Sequence, residues 1–276
     1  MPSAIAERTT SGLNPRQASS ARVVASTARL GRIGRGVLGV LILALVWEVV
    51  PQLGLINDYF LPPLHKVLAA WWEMLGNGEL LRNLRASVVR SVAGFSLATA
   101  VAIPTGVAIA WYRPVRELLT APLEVFRNTA ALALLPAFSL ILGIGETSKI
   151  AIVTYACFFP VLLSTVSGVA TVDQQLLRSA RVLGLGPVAT FRKVVFPAAV
   201  PTIFTGIRIS GAAAILVLIA AELVGATAGL GFLINYTQLN FLIPQMYAAI
   251  LTTTLLGLAV TYGLVALERR FSRWRA

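Results

Sequence analysis

The chain has 276 residues, 57% of them hydrophobic and only 12% charged, about half the charged share of an average soluble domain, and its mean hydropathy is +0.80. Apolar residues arranged in long runs point to lipid, not to a water-excluding core, and so exclude an ordinary soluble domain. The formal net charge of +12 does not indicate a nucleic-acid binder, because the arginines sit at the ends of the apolar runs, where topology-setting charges belong.

Residues 1–35 are rich in Ser, Ala, Thr and Arg, with Glu7 as the only acid. That composition predicts a disordered basic cytoplasmic tail. Six apolar runs then approach the roughly 20 residues that a bilayer crossing needs: 36–55, 87–111, 125–144, 150–170, 203–225 and 246–267. Residues 36–270 are read as a single membrane domain, and 271–276 as a basic cytoplasmic C-terminus. With the N-terminus inside, seventeen Lys and Arg fall in internal segments and four in external ones. That bias predicts cytoplasmic termini. Two external stretches are more than loops. Residues 57–85 contain Leu61-Pro62-Pro63 and a helix-like pattern through Val67, Leu68, Trp71, Trp72 and Leu75; residues 232–243 are apolar but half a span long, which predicts an interfacial or re-entrant element.

Cys157 lies in an apolar run and reads as a small packing residue. His65 is the single histidine and has no Cys or carboxylate cluster beside it, so no metal site is expected. The sequence GIGETSK at 143–149 lacks the Gly-Lys-Ser/Thr ending of a phosphate loop. No intramembrane cluster suggests catalysis, and the chain reads as a non-enzyme.

Glu48, Arg90 and Glu222 fall in the outer third of their spans, and Arg208 near the inner end of the fifth. Ionisable groups inside spans are costly and usually face a bundle interior. Arg90 is expected to pair with Glu48 or Glu222, while Arg208 can snorkel to the interface. A positive group in the path favours an anion.

The most informative stretch is the internal segment 171–201. Asp173 is a suitable N-cap for a helix over 173–183. Gly184 and Gly186 break that helix, and Pro187 fits the first position of a second one. The second helix carries Phe191, Val194 and Val195 and is expected to end at Pro197 or Pro201. Helix, glycine turn, helix makes a knob suited to a socket on a partner.

This segment resembles the EAA loop of ABC importer permeases, whose pattern is Glu-Ala-Ala, three residues, Gly, nine residues, Ile, any residue, Leu-Pro. Ser179 and Ala180 take the Ala positions, Gly184 the Gly, Val194 the Ile, Phe196 the Leu and Pro197 the Pro. Arg178 stands where the family has Glu, which inverts a charge. The resemblance extends from about Trp47 to Arg270 through Leu61-Pro62-Pro63, Gly78-Glu79-Leu80, Gly94-Phe95, Gly143-Ile144-Gly145, Phe159-Pro160, Ala221-Glu222-Leu223 and Gly229-Leu230-Gly231. Those segments look like the sulfonate/taurine/nitrate branch. That branch usually has prolines at 128–131, where this chain has Asn128-Thr129-Ala130-Ala131. Pro136 remains, so a less kinked entry to the third span is expected.

The resemblance implies an all-α membrane protein with six transmembrane helices, a cytoplasmic coupling loop and external interfacial helices. It implies two cytoplasmic ATPase subunits that use ATP and Mg, a second permease subunit (a homodimer is expected), an external binding protein and the bacterial inner membrane. No cofactor is expected in this chain and no nucleic acid as partner. The expected coupling residues are Arg178, Ser179, Ala180, Arg181, Gly184, Val194, Phe196 and Pro197. Glu48, Arg90, Pro136, Arg208 and Glu222 are the candidates for the pathway. The implied cargo is a small anion. A heterocycle such as a thiamine-precursor pyrimidine is the alternative within the same class, and an ATP-independent secondary transporter the alternative outside it.

Overall fold

The computed structural model describes residues 38–54 and 56–271. The tail assigned to 1–35 and the terminal residues 272–276 lie outside the described residues. Two compact units divide at Lys66 and Val67. Within the first, α1 spans Leu38–Gln52, and the chain turns behind it at Gly54, whose φ of 69° suits glycine. Fifteen residues rise about 22 Å, short of the roughly 30 Å hydrocarbon layer.

Every regular element among the second unit's described residues is a helix. In order it holds α2 (Leu64–Gly76, which begins in the first unit), α3 (Glu79–Trp111), α4 (Arg113–Arg127), a 3-10 turn (Ala131–Leu134), α5 (Leu135–Leu142) and α6 (Glu146–Ala170). It continues with α7 (Gln174–Val182), α8 (Pro187–Glu222), α9 (Leu230–Leu239) and α10 (Ile243–Phe271). Helices α3, α6, α8 and α10 are long and apolar enough to cross a membrane. They contain the runs expected at 87–111, 150–170 and 246–267 and most of that at 203–225.

The third expected run differs. It is no straight helix over 125–144 but the join of α4 with the Ala131–Leu142 segment, bent by 87°. The expectation of a less kinked entry is therefore corrected: the bend forms without prolines at 128–131. Asn128 Nδ2 donates to the Glu124 carbonyl at 2.8 Å and Thr129 Oγ1 to that of Val125 at 3.2 Å. These side chains satisfy the last carbonyls of α4 and so end it. Pro136 occupies the first turn of α5, where it needs no N–H donor.

Three helices make the core. Helices α3 and α6 run parallel, because a Cβ at Gly94 would meet Val153 and one at Gly106 would meet Thr165. Helix α8 runs antiparallel to both. Cys157 Sγ lies 3.4 Å from the Ser210 carbonyl, and Ser210 Oγ donates back to the Cys157 carbonyl at 3.0 Å. The one cysteine is thus a packing residue, fully buried. Small residues let backbones approach where lipid offers no hydrophobic drive between helices. Gly206 shows this at the α6–α8 contact, since an added Cβ would strike the Ser164 side chain and the Pro160 carbonyl. Gly→Ala inside a helix normally gains about 1 kcal/mol. Here the sign reverses: Gly206→Ala is expected to destabilise by about 1–3 kcal/mol through overpacking, read as a lower unfolding temperature in detergent.

The expected external elements are helices α2 and α9. Val67, Ala70 and Met74 are buried on one face of α2, and Trp71 Nε1 donates to Thr252 Oγ1 on α10 at 3.0 Å.

Candidate functional site

Two polar assemblies lie at opposite ends of the α3–α6–α8 core. The first is the turn from α6 into α8. Asp173 caps α7, its carboxylate accepting from the Gln175 N–H at 2.8 Å. The helix ends at Gly184, with φ 72°. The Leu185 N–H bonds the Ala180 carbonyl and the Gly184 N–H the Arg181 carbonyl, both at 3.0 Å. That paired closure needs a left-handed residue at the Gly184 position. Ala180 is buried beneath the turn. Arg178, Ser179, Arg181 and Gly184 are exposed. Val182, Leu183 and Val188 are 88%, 77% and 80% exposed, so apolar side chains stand outward at the tip.

The second helix does not end at Pro197 or Pro201; it continues unbroken as α8 through both. A π-turn at Phe191–Val195 makes this possible, with the Phe196 N–H reaching the Phe191 carbonyl. The widened turn absorbs the donor that Pro197 lacks. Val194 and Pro197 are half-buried and Phe196 is 40% exposed. Phe191 meets Trp111 at the end of α3, with ring centroids 5.2 Å apart and edge-on.

The second assembly centres on Arg90. Its Nη1 donates to Glu222 Oε1 at 2.6 Å and to the Ala228 carbonyl at 2.6 Å. Its Nε and Nη2 fork onto both oxygens of Glu146 at 2.5 Å. The Arg90 side chain is 3% exposed and that of Glu222 0%. Glu222 also accepts from Ser87 Oγ at 2.8 Å and the Gly231 N–H at 3.0 Å. The Leu230 N–H bonds Ser87 Oγ at 2.8 Å, and the Gly229 N–H bonds Asn83 Oδ1 at 2.9 Å. Helix α9 thus has its first donors, unsatisfied in any isolated helix, capped by side chains from α3 and α8. A Cβ at Gly229 would overlap the Glu222 carboxylate, so glycine is needed there. Lys149, also buried, donates to the carbonyls of Gly145 and Gly225 at 3.3 and 3.4 Å.

The structure therefore joins Arg90 to Glu222. Glu48, the other carboxylate considered for it, lies in the first unit, where it accepts from His65 Nδ1 at 2.7 Å. Arg208 donates to Glu268 Oε2 on α10 at 3.1 Å. Pro136 is exposed. Sequence reasoning missed Glu146, Lys149 and Glu268 as partners. Glu146 carries one usable signal, an acid in the first turn of a helix. No group of three or more His, Cys, Asp or Glu side chains suited to a metal occurs among the described residues.

The family model described as binding-protein-dependent transport system inner membrane component matches residues 102–273. The chain is 35% identical over 238 residues to the taurine transport system permease protein of Escherichia coli strain K12, covering 84% of this chain and 86% of that protein. It is 31% identical over 245 residues to a putative aliphatic sulfonates transport permease protein of Bacillus subtilis strain 168, covering 87% of each. Among solved structures, a chain of the MetNI methionine ABC transporter superimposes with a TM-score of 0.62 at 19% identity, over 70% of this chain and 95% of that one. That is a likeness of fold.

Proposed function

Because this chain belongs to the family of binding-protein-dependent transport system inner membrane components, we propose that it forms the translocation pathway of an ABC importer for small anions of the sulfonate class. It is a multi-pass permease subunit of the bacterial inner membrane and not an enzyme; ATP is hydrolysed by a separate partner. Six crossings result if α1 and the bent α4–α5 pair each count as one, with both termini and α7 cytoplasmic. The arginine bias across the segments supports that orientation.

The observation that carries the coupling role is the α7 turn. It is a knob closed by two backbone bonds, with Val182, Leu183 and Val188 bare at its tip. In water such a tip is costly; in an ATPase groove it is buried. Past the Gly184–Gly186 turn the chain enters α8 directly, so a pull on α7 passes through that turn into a helix of 36 residues. Arg178, Ser179, Ala180, Arg181, Gly184, Val194, Phe196 and Pro197 form or support this contact. Two ATPase subunits, a second copy of the chain and an external binding protein complete the importer. The anionic cargo is supported by the taurine and sulfonate permeases among its relatives. Arg90 and Glu222 serve at the external end, holding α9 beside the pathway mouth. Pro136 and Arg208 are proposed to stand along its wall, and Glu48 is kept as a pathway candidate within the first unit.

Purification of the chain from native membranes in mild detergent tests this. An ATPase with a phosphate-loop motif is expected to co-purify in proportion to the permease. Its absence, even after crosslinking through cysteines placed beside Gly184, would remove the coupling role and favour an ATP-independent transporter.

A further inference from the structure

Helix α4 does not lie on the membrane surface. It starts beside the end of α3, where Arg116 donates to the Ile109 and Ala110 carbonyls at 3.2 and 2.8 Å. It then runs back along α3 and α6, with Val115, Leu119 and Leu123 packed against the cluster of Ile109, Val161 and Leu162. Its last turn reaches Tyr155, whose hydroxyl donates to the Phe126 carbonyl. Tyr155 lies well inside α6, a spanning helix of 25 residues. At about 1.5 Å per residue it stands roughly 13 Å from one end of α6 and 22 Å from the other. Glu124, Arg127, Asn128 and Thr129 therefore stand at mid-membrane depth, whereas the apolar run at 125–144 puts Arg127 at the inner end of its span.

A stripe of polar residues leads to that depth. Arg113, Glu117, Thr120, Glu124 and Arg127 recur at spacings of four and three, which places them on one face of α4, and all five are exposed. Arg113 pairs with Glu117 at 2.9 Å and Arg127 with Glu124 at 3.2 Å. Charged groups at depth face a bundle interior or a water-filled cavity. Non-helical backbone at depth is subject to the same restriction, and the Asn128–Ala130 bend is such backbone. A cavity of about 490 Å³ opens beside it, lined among others by Arg127, Thr129, Tyr155, Phe159, Pro160 and Val217. That is ample for a small organic ion. Glu124 takes a single bond from the Arg127 fork, which leaves donors for the oxygens of a sulfonate.

Resting on the anion-importer reading, we infer that this cavity is the mid-membrane station of the pathway and that Arg127 is the cation that draws anionic cargo into it. The polar stripe of α4 is the wet wall leading from the α7 end to that station, and the rings of Tyr155 and Phe159 form its apolar side.

The test uses the complete transporter in proteoliposomes, with Thr129→Cys in a Cys157→Ala background. Two water-soluble probes are compared: 2-sulfonatoethyl methanethiosulfonate and its trimethylammonium counterpart. Both are expected to modify the cysteine at 129, with the sulfonate favoured relative to the ratio measured on a small thiol in solution. Arg127→Gln is expected to lower the sulfonate-to-ammonium rate ratio about tenfold through loss of the local field, and Arg127→Lys to preserve it. Failure of both probes to react, or a ratio equal to that of the free thiol, overturns the proposal, even if Arg127→Gln does not assemble. An unchanged ratio in Arg127→Gln also overturns it. The probes report independently of the natural cargo. A tenfold fall without sulfonate uptake by the parent transporter sinks the cargo reading and keeps the cavity; normal uptake with an unchanged ratio does the reverse.

Discussion

Replacing Arg90 by methionine is expected to destabilise the folded chain by about 3–5 kcal/mol, the usual penalty for stranding a buried charge by removing its partner. The Glu222 side chain is fully buried. Without the guanidinium its carboxylate keeps only the Ser87 hydroxyl and the Gly231 N–H, both neutral donors. Those bonds also fasten the first turn of α9 to α3 and α8, so the damage spreads beyond one ion pair. Glu146, half outside the cluster with a side chain 63% exposed, can turn to water; Glu222 cannot. The double variant Arg90→Met/Glu222→Gln is therefore expected to recover much of the loss, since a neutral amide still accepts from Ser87 and needs no counter-charge. Thermal unfolding in detergent reads both. A double variant no more stable than the single would show that the pair is not what holds this end of the unit together.

How far the sequence alone reached follows from the range of the forces involved. Long apolar runs located α3, α6, α8 and α10, because each carries the signal of a bilayer crossing within itself. The helix ends were misjudged where helices continue past the apolar run: α3 begins at Glu79, and α8 at Pro187. The α7 turn was legible in Asp173, Gly184 and Pro187, since capping and left-handed closure are local. The passage of α8 through Pro197 was not, because a π-turn leaves no pattern in residue types. The Asn128 bend was misread for a related reason: prolines were sought as its cause, whereas side-chain amide and hydroxyl bonds end α4. Arg90 and Glu222 were suspected from position within their spans. Glu146 was invisible as their partner, since it is 56 residues from Arg90 in sequence and only packing brings them together. Arg127 shows the same limit most clearly, because its depth is set by the contact of Phe126 with Tyr155.

Gly184→Val is expected to reduce uptake at least about tenfold while leaving insertion and permease level unchanged. The argument is conformational. Gly184 holds φ 72°, and nothing lies within 4 Å of the position a Cβ would take. A side chain therefore meets no obstacle in the chain, and the three-helix core is untouched. The backbone itself resists, because an L-residue in the left-handed region loses about 1–2 kcal/mol, and a β-branched one is an outlier there. Relief comes by opening the two bonds to Ala180 and Arg181. That swings Val182 and Leu183 away from Val188 and disperses the tip proposed to dock on the ATPase. ATP hydrolysis then continues at its basal rate without cargo stimulation. Gly184→Asn, which tolerates the left-handed region, is expected to import at close to the parent rate. Uptake by reconstituted transporter, normalised to permease content, separates the two variants. Equal loss in both would assign the effect to bulk at the docking face, and equal retention would remove the turn from the coupling route.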